Sequence, residues 1–336
     1  MGGRAFDKFQ FGQETISTHG TAVAATRMLM CAPMSLKPDR TPKFFDRPMG
    51  LRAKNYDSFI GQYLYQDTLK FPDSYYQMLP LIFSCGLKGG ITPSQQTTGA
   101  GDYLWTHTPS LSGDNTPDSI TLELGDDQQA YEAEYLMFDR IKISGQVAQG
   151  MEVSPVDIEA GFFARQQTKT SFTTLSLPTV EPINAKLARF YLDTAWAGVG
   201  GTEKVGFLRA FDIEILTGLH PQFHGGANKY FDVHGQGYVD AMASFTFEND
   251  AVADAIRDAA LAQSLAVVQV KIAGAAIGTG ASHSLTIAIG GRWKEPVPMA
   301  SEDRAANLFT ATLQGMYDPT GAKLLTVAVS TNVSTI

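Results

Sequence analysis

The sequence predicts an all-β fold with two short helices, and three observations carry that prediction. Apolar residues alternate with polar ones over several short runs, Gly and Pro punctuate the intervals, and two stretches alone carry apolar residues at helical spacing. The 32 glycines and the recurrence of Thr, Ser and Val in the alternating runs point the same way. At 336 residues, with 44% hydrophobic and 18% charged residues, the chain is long enough for about two domains with proper cores and has no compositional mark of disorder.

In chain order, Phe9–Ile16 and Arg27–Met34 read as the opening strands. Pro38, Pro42 and Pro48 then exclude a central strand from residues 37–57, because proline cannot donate to a ladder. Here Lys37, Arg40, Lys43, Arg47, Arg52 and Lys54 outnumber Asp39, Asp46 and Asp57, so the rest of the chain is more acidic than the net charge of -8 suggests. A loop this long inside a compact domain is functional or disordered, and Phe44, Phe45 and Tyr56 argue for a contact role. Ser58–Phe71 is strand-like, and Pro72 with Asp73 announces a helix. Tyr75, Met78, Leu79, Ile82 and Phe83 then form one apolar stripe that Gly86 ends, with Pro80 expected to bend it.

The centre of the chain reads as a three-stranded antiparallel meander. Ile120–Gly125 leads through a polar turn, Asp126–Gln129, into a strand where Tyr131, Ala133, Tyr135 and Met137 alternate with Glu132 and Glu134. Ile141 and Ile143 resume that parity. After a loop at 145–150, Met151 and Val153 give way to Val156, Ile158, Ala160 and Phe162, and the change of parity at Pro155 implies a bulge. Residues 168–182 read as a linker between a first domain, 1–167, and a second, 183–336.

The second half repeats the order strand, cap, helix. Val239, Ala241, Ala243, Phe245 and Phe247 alternate with polar residues, and Asp250 caps a stripe of Val252, Ala255, Ile256, Ala259 and Ala260 at the offsets of the first helix. Gly61-Gln62 and Gly235-Gln236 open the two preceding strands, which suggests duplication. Four strands follow, at 266–272, 284–289, 307–313 and 324–330, joined by turns that suit an antiparallel barrel or sandwich.

No stretch carries recognisable catalytic chemistry. His220, His224, Asp232 and His234 are the one cluster that could bind a metal, yet Pro221 and the glycines at 225 and 226 give it no rigid frame. Ser282-His283-Ser284 has no nucleophile elbow beside it, and Gly198, Gly200 and Gly201 before Lys204 lack the spacing of a phosphate loop. Glu123, Asp126, Asp127, Glu132 and Glu134 form an acidic patch that reads first as a solvated hairpin face. The basic 37–54 stretch could be a nucleic-acid arm, but its prolines and aspartates favour protein contact. Cys31 and Cys85 read as reduced core residues. The N-terminus has no secretory h-region, Phe6 stands where a myristoylation signal needs Ser or Thr, and the apolar run 265–277 is too short to span a bilayer. No enzyme activity, cofactor, metal or membrane role is expected.

The run TPSLSGDNTPDSITLELGDDQQAYEAEYLMFDRIKISGQVAQGMEVSPVDIEAGF, Thr108 to Phe162, resembles the sheet of tail tube proteins (major tail proteins) of long-tailed, non-contractile bacteriophages, the siphophages. The shared features are a threonine-proline loop, a strand, a polar turn, a strand ending in a small-residue loop, and a strand ending near glycine. The resemblance implies tandem antiparallel β-barrel or β-sandwich domains, each with one packed helix, whose sheets join side by side around a lumen. It implies a structural virion protein, assembled in the host cytoplasm, that polymerises into stacked rings through which phage DNA passes without specific binding. Two units per chain imply trimeric rings with pseudo-sixfold symmetry, with hexameric rings as the alternative. The implied partners are further copies of the chain and the tape-measure, tail tip and tail terminator proteins. On this reading Phe44, Phe45, Arg47, Arg52 and Tyr56 contact a neighbouring subunit. Glu123, Asp126, Asp127, Glu132 and Glu134 become candidates for a neutral-to-acidic lumen wall. The rival readings are a two-domain β-sandwich that binds a carbohydrate or receptor, and a capsid or fibre protein.

Overall fold

Strands hold 51% of the residues and helical turns 10%, so the protein is all-β. The computed structural model describes residues 6–34, 36–40, 42–46, 50, 52, 54–147, 153–205, 208–248, 251–294 and 308–336. The main strands are β1 (Lys8–Gln13), β2 (Leu64–Phe71), β3 (Tyr103–His107), β4 (Ile120–Gly125), β5 (Ala130–Gln146), β6 (Val156–Ala164) and β7 (Gln166–Thr170) in the first half. In the second half they are β8 (Ala188–Asp193), β9 (Leu208–Leu216), β10 (Asp240–Glu248), β11 (Ala266–Ala276), β12 (Ser282–Trp293), β13 (Leu308–Gly315) and β14 (Leu325–Thr331). Two helices, α1 (Leu79–Gly86) and α2 (Ala251–Leu261), complete the framework.

Every pairing is antiparallel, and β5 is the hub. Its first part pairs with β4 and β7, its second with β6 and β9. Beyond β6 lies β2; beyond β9 the sheet continues through β10, β13 and β12. From β12 it branches to β11 and β8, and to β14 and β3. Among the described residues these pairings never return to their start, so no barrel closes.

One row of side chains shows how the core is made. Phe71, Ile158, Ile143, Ile213, Ala243, Leu313 and Trp293 are cross-strand neighbours through seven successive strands, and all are buried. The β5–β9 and β3–β14 pairings cross the boundary expected at 168–182, and one hydrophobic cluster runs from Phe9 to Val333. The expected linker begins inside β7, and Thr173 donates to Glu123. The two halves therefore share one sheet and one core.

The meander stands where the alternation puts it, with one correction. In β5 the register breaks between Ala133 and Leu136 and again between Phe138 and Arg140. Tyr135 has φ +56°, which marks the first break. Each extra residue exchanges the faces of the strand. Ala133, Leu136, Phe138, Ile141 and Ile143 thus reach the main core, while Tyr135 and Met137 point to a second, smaller cluster.

Helix α1 also departs from expectation. It is buried all round rather than along a stripe, and it begins at Leu79 after a 3-10 turn at Tyr76–Met78. Pro80 consequently falls in the first turn, where no N–H is required, and Asp73 is not the cap. Gly86 is the last helical residue, as expected, and permits close approach to β5: a Cβ there would sit 3.0 Å from Ile141 Cδ1. Helix α2 buries Ile256 and Ala260 and leaves Ala255 exposed; its expected cap, Asp250, lies outside the described residues. The apolar run 265–277 forms β11, and no helix among the described residues is long and apolar enough to cross a membrane.

Candidate functional site

Two ribbons leave the sheet. The first pairs Pro42–Asp46 with Asn55–Ile60, within the stretch expected to be an irregular loop. Its register places Phe44 beside Ser58 on one face, and Lys43 beside Phe59 on the other, where Phe45 and Phe59 stack at 5.6 Å. Phe44 is 58% exposed, Tyr56 78% and Phe59 49%. Lys54 meets Asp46 at 3.4 Å, Arg52 is exposed, and Arg47 lies outside the described residues. An isolated two-stranded ribbon is marginal in water, and this one exposes aromatic side chains on both faces.

The second ribbon pairs Leu219–Gln222 with Val233–Gln236. Leu219 and the adjoining Phe231 pack onto Tyr135, Met137 and Phe163 to close the smaller cluster. Its polar residues diverge. His234 Nδ1 lies 3.0 Å from the Tyr135 hydroxyl, His220 Nδ1 lies 3.1 Å from the Gly218 carbonyl, and the His224 N–H donates to Asp232 at 2.8 Å. His283 lies buried against Tyr76, with ring centroids 5.5 Å apart.

The five candidate acids do not form one surface, and two must be withdrawn from any solvent wall. Glu123 is 3% exposed and accepts from Gln10 Nε2, the Ala25 and Thr173 N–H groups and the Thr173 hydroxyl. Glu134 is 9% exposed, and burial, with Glu14 nearby, pushes its carboxyl up to about 7 against the opposing pull of Arg165. Both point away from the core, as the alternation requires, but irregular segments cover that face. Asp126 is half-buried and accepts from the N–H groups of Gln128 and Gln129, closing the turn. Asp127 is exposed, and Glu132 is half-buried and bonded by Thr168.

An open polar surface lies elsewhere, on the other face of the seven-stranded sheet. Lys70, Glu159, Lys142, Glu214, Met242, Gln314 and Arg292 form one row across it. Asp157, Ser144, Asp212, Ser244 and Thr312 form the next. Most of its charges are paired: Arg140–Glu214 and Lys142–Asp212 both at 2.9 Å, Lys70–Glu159 at 3.5 Å, and Arg209 with Glu248, while Arg292 and Asp157 have no ion pair among the described residues. Asp212 holds the Lys142 ammonium above its usual range, through a hydrogen bond and its charge. Period-two alternation in β6, β9 and β10 signals which residues face outward; which strands are neighbours has no local signature.

A cleft of about 1400 Å³ opens between residues 108–115, 236–240, 315–317 and 322–324. Tyr238, 98% exposed, stands at it with Tyr317, Lys88 and Asp240.

No protein-family model matches the chain, and no curated protein matches it.

Proposed function

We propose that this chain is the structural subunit of a siphophage tail tube, with the open face of the seven-stranded sheet lining the channel. The observation that carries the reading is that sheet: continuous through both halves, buried on one face, and polar on the other, where four of the cations, though not Arg292, are paired with carboxylates of the same face. Duplex DNA carries about one negative charge per 1.7 Å of axis, so a wall of unpaired lysines would grip the genome at many points. Here each of Lys70, Arg140 and Lys142 already has a carboxylate partner. Such a wall lets DNA slide.

The first ribbon supplies the contact between subunits. Among the described residues Phe44, Tyr56 and Phe59 stay exposed, and head-to-tail stacking needs a projecting surface that differs from its receptor. Each half contributes strands and one helix to the shared sheet, so three chains would supply six units to a ring. Negative-stain microscopy of the purified protein tests the reading: stacked rings or hollow tubes with threefold averages are expected. Featureless monomers would overturn it, and six equivalent whole chains per ring would overturn the stoichiometry.

A second reading rests on the cleft. Its exposed Tyr238 and Tyr317 beside Lys88 and Asp240 would suit a carbohydrate-binding module, which should remain monomeric and lose ligand on Tyr238→Ala.

A further inference from the structure

Three elements meet at Tyr135, on the first bulge of β5. Its backbone N–H donates to Glu14 at 2.8 Å, its ring stacks on His19 with centroids 5.3 Å apart, and its hydroxyl lies 3.0 Å from His234 Nδ1. Arg165 lies over the same ring, 4.5 Å from its centroid, and donates to the carbonyls of Phe231 and Asp232 in the second ribbon. Ser119 donates its one hydroxyl proton to Glu14 at 2.6 Å, so it accepts from His19 at 2.7 Å, and the neutral His19 ring carries its proton on Nδ1. The His19 and His234 rings meet edge to face at 5.5 Å.

We propose that His19, Tyr135 and His234 form an acid-sensitive latch that fastens residues 14–25 and the second ribbon to β5. The groups facing the histidines are Glu14 from the N-terminal segment and Arg165 from the β6–β7 connection at His19, and Asp114 and His220 around the ribbon at His234; Glu134 from β5 acts one step away, on Arg165 and Glu14. Charging both rings sets two cations beside each other and beside Arg165. Glu14, which accepts from Gly20, Ser119, Thr121 and Tyr135, favours the charged His19 more than Arg165 opposes it, but burial outweighs both. A protonated His234 Nδ1 must also donate, which forces the Tyr135 hydroxyl to turn its proton away. Opening would uncover Thr121 and Glu123, which now accept from the N–H groups of Val23 and Ala25.

The sign follows from the three titrating groups. Burial first holds His19 and His234 below their ordinary 6.5, against the pull of Glu14 on His19 and of Asp114 on His234, so each gives up its proton more readily in the closed latch than in the open one. Their contribution is absent at high pH and turns against the closed state as pH falls below 6.5. Glu134 opposes them: its carboxyl, pushed up to about 7, takes a proton in the closed state before it would in the open one. Below pH 6.5, opening therefore binds up to two protons at the histidines and releases up to one at Glu134.

Hydrogen–deuterium exchange of the full chain, corrected for intrinsic rates and referred to β12, tests the latch. A net uptake of one proton should speed exchange in 14–26 and 219–236 by up to about tenfold per pH unit between 6.5 and 5.5. The double variant H19N/H234N keeps a polar group at each δ position and should flatten that dependence. E134Q removes the opposing proton and should steepen it toward about a hundredfold per unit. Equal relative exchange at both pH values in the wild type, or an unchanged dependence in the double variant, would overturn the proposal. So would ring resonances of either histidine titrating at or above 6.5 in the wild type, a measurement that needs no variant to fold.

Discussion

The two ribbons are built alike and end differently. Each is a short antiparallel pair that leaves the sheet and carries aromatic residues. The second returns its apolar side chains to the fold: Leu219 and Phe231 meet Tyr135, Met137 and Phe163, and Arg165 ties its backbone down. The first keeps Phe44, Tyr56 and Phe59 in solvent on both of its faces. The same local chemistry thus becomes core or contact surface according to what lies beneath it. The first has exposed aromatic area left to offer another molecule, whereas the second exposes only Val233 among its large apolar residues that are described.

The comparison breaks most visibly at Phe231. It is fully buried among Tyr135, Phe163 and Phe223, so Phe231→Ala removes a large side chain from a site walled by rings. We expect a loss of about 3–5 kcal/mol in urea denaturation. Phe44→Ser and Tyr56→Ser should each stay within about 0.5 kcal/mol, because solvent already surrounds both. If Phe231→Ala costs no more than Phe44→Ser, the second ribbon is not part of the cooperative fold and the contrast fails.

The converse experiment removes the first ribbon. Replacing residues 42–60 with a short Gly-Ser linker deletes the exposed Phe44, Tyr56 and Phe59 and the surface ion pair between Lys54 and Asp46. Far-ultraviolet spectra and the denaturation midpoint should hardly change, since such pairs contribute at most about 1 kcal/mol. Tube formation should be lost. Tubes of normal length from this variant would remove the ribbon from the assembly mechanism.

What the sequence made legible follows from how local each signal is. Strands β6, β10 and the four after α2 stand close to where alternation sets them, because one buried face imprints a period of two on consecutive residues. In β5 that period misleads, since Tyr135 and Met137 look identical to Ile141 and Ile143 until the bulges exchange the faces. Prolines and aromatics flagged 37–57, but nothing local distinguished a paired ribbon from a loop. Glu123 sits between Leu122 and Leu124 as an outward residue should, and its burial depends on Ala25 and Thr173, distant in the chain. Glu14, Arg165 and the paired charges of the open face were missed for the same reason: their partners are set by topology.

The smallest expected change in stability accompanies the most telling functional one. Asp212→Asn with Glu214→Gln keeps the shape of both side chains and removes the partners of Lys142 and Arg140. All four side chains are partly solvated, so the cost should stay within about 1 kcal/mol per pair. The variant face gains two unpaired cations in every subunit, beside Arg292, and they are repeated along the tube. Each phosphate neutralised adds about 0.9 to the slope of log affinity against log salt, so a repeated wall accumulates a steep dependence. Fluorescence anisotropy with short duplex DNA should show weak, nearly salt-independent association for wild-type assemblies. The variant should bind at about 50 mM salt and release by about 200 mM. Equal binding by the two at low salt would mean that the open face does not meet DNA, and the first ribbon's exposure would then need a reason other than tube assembly.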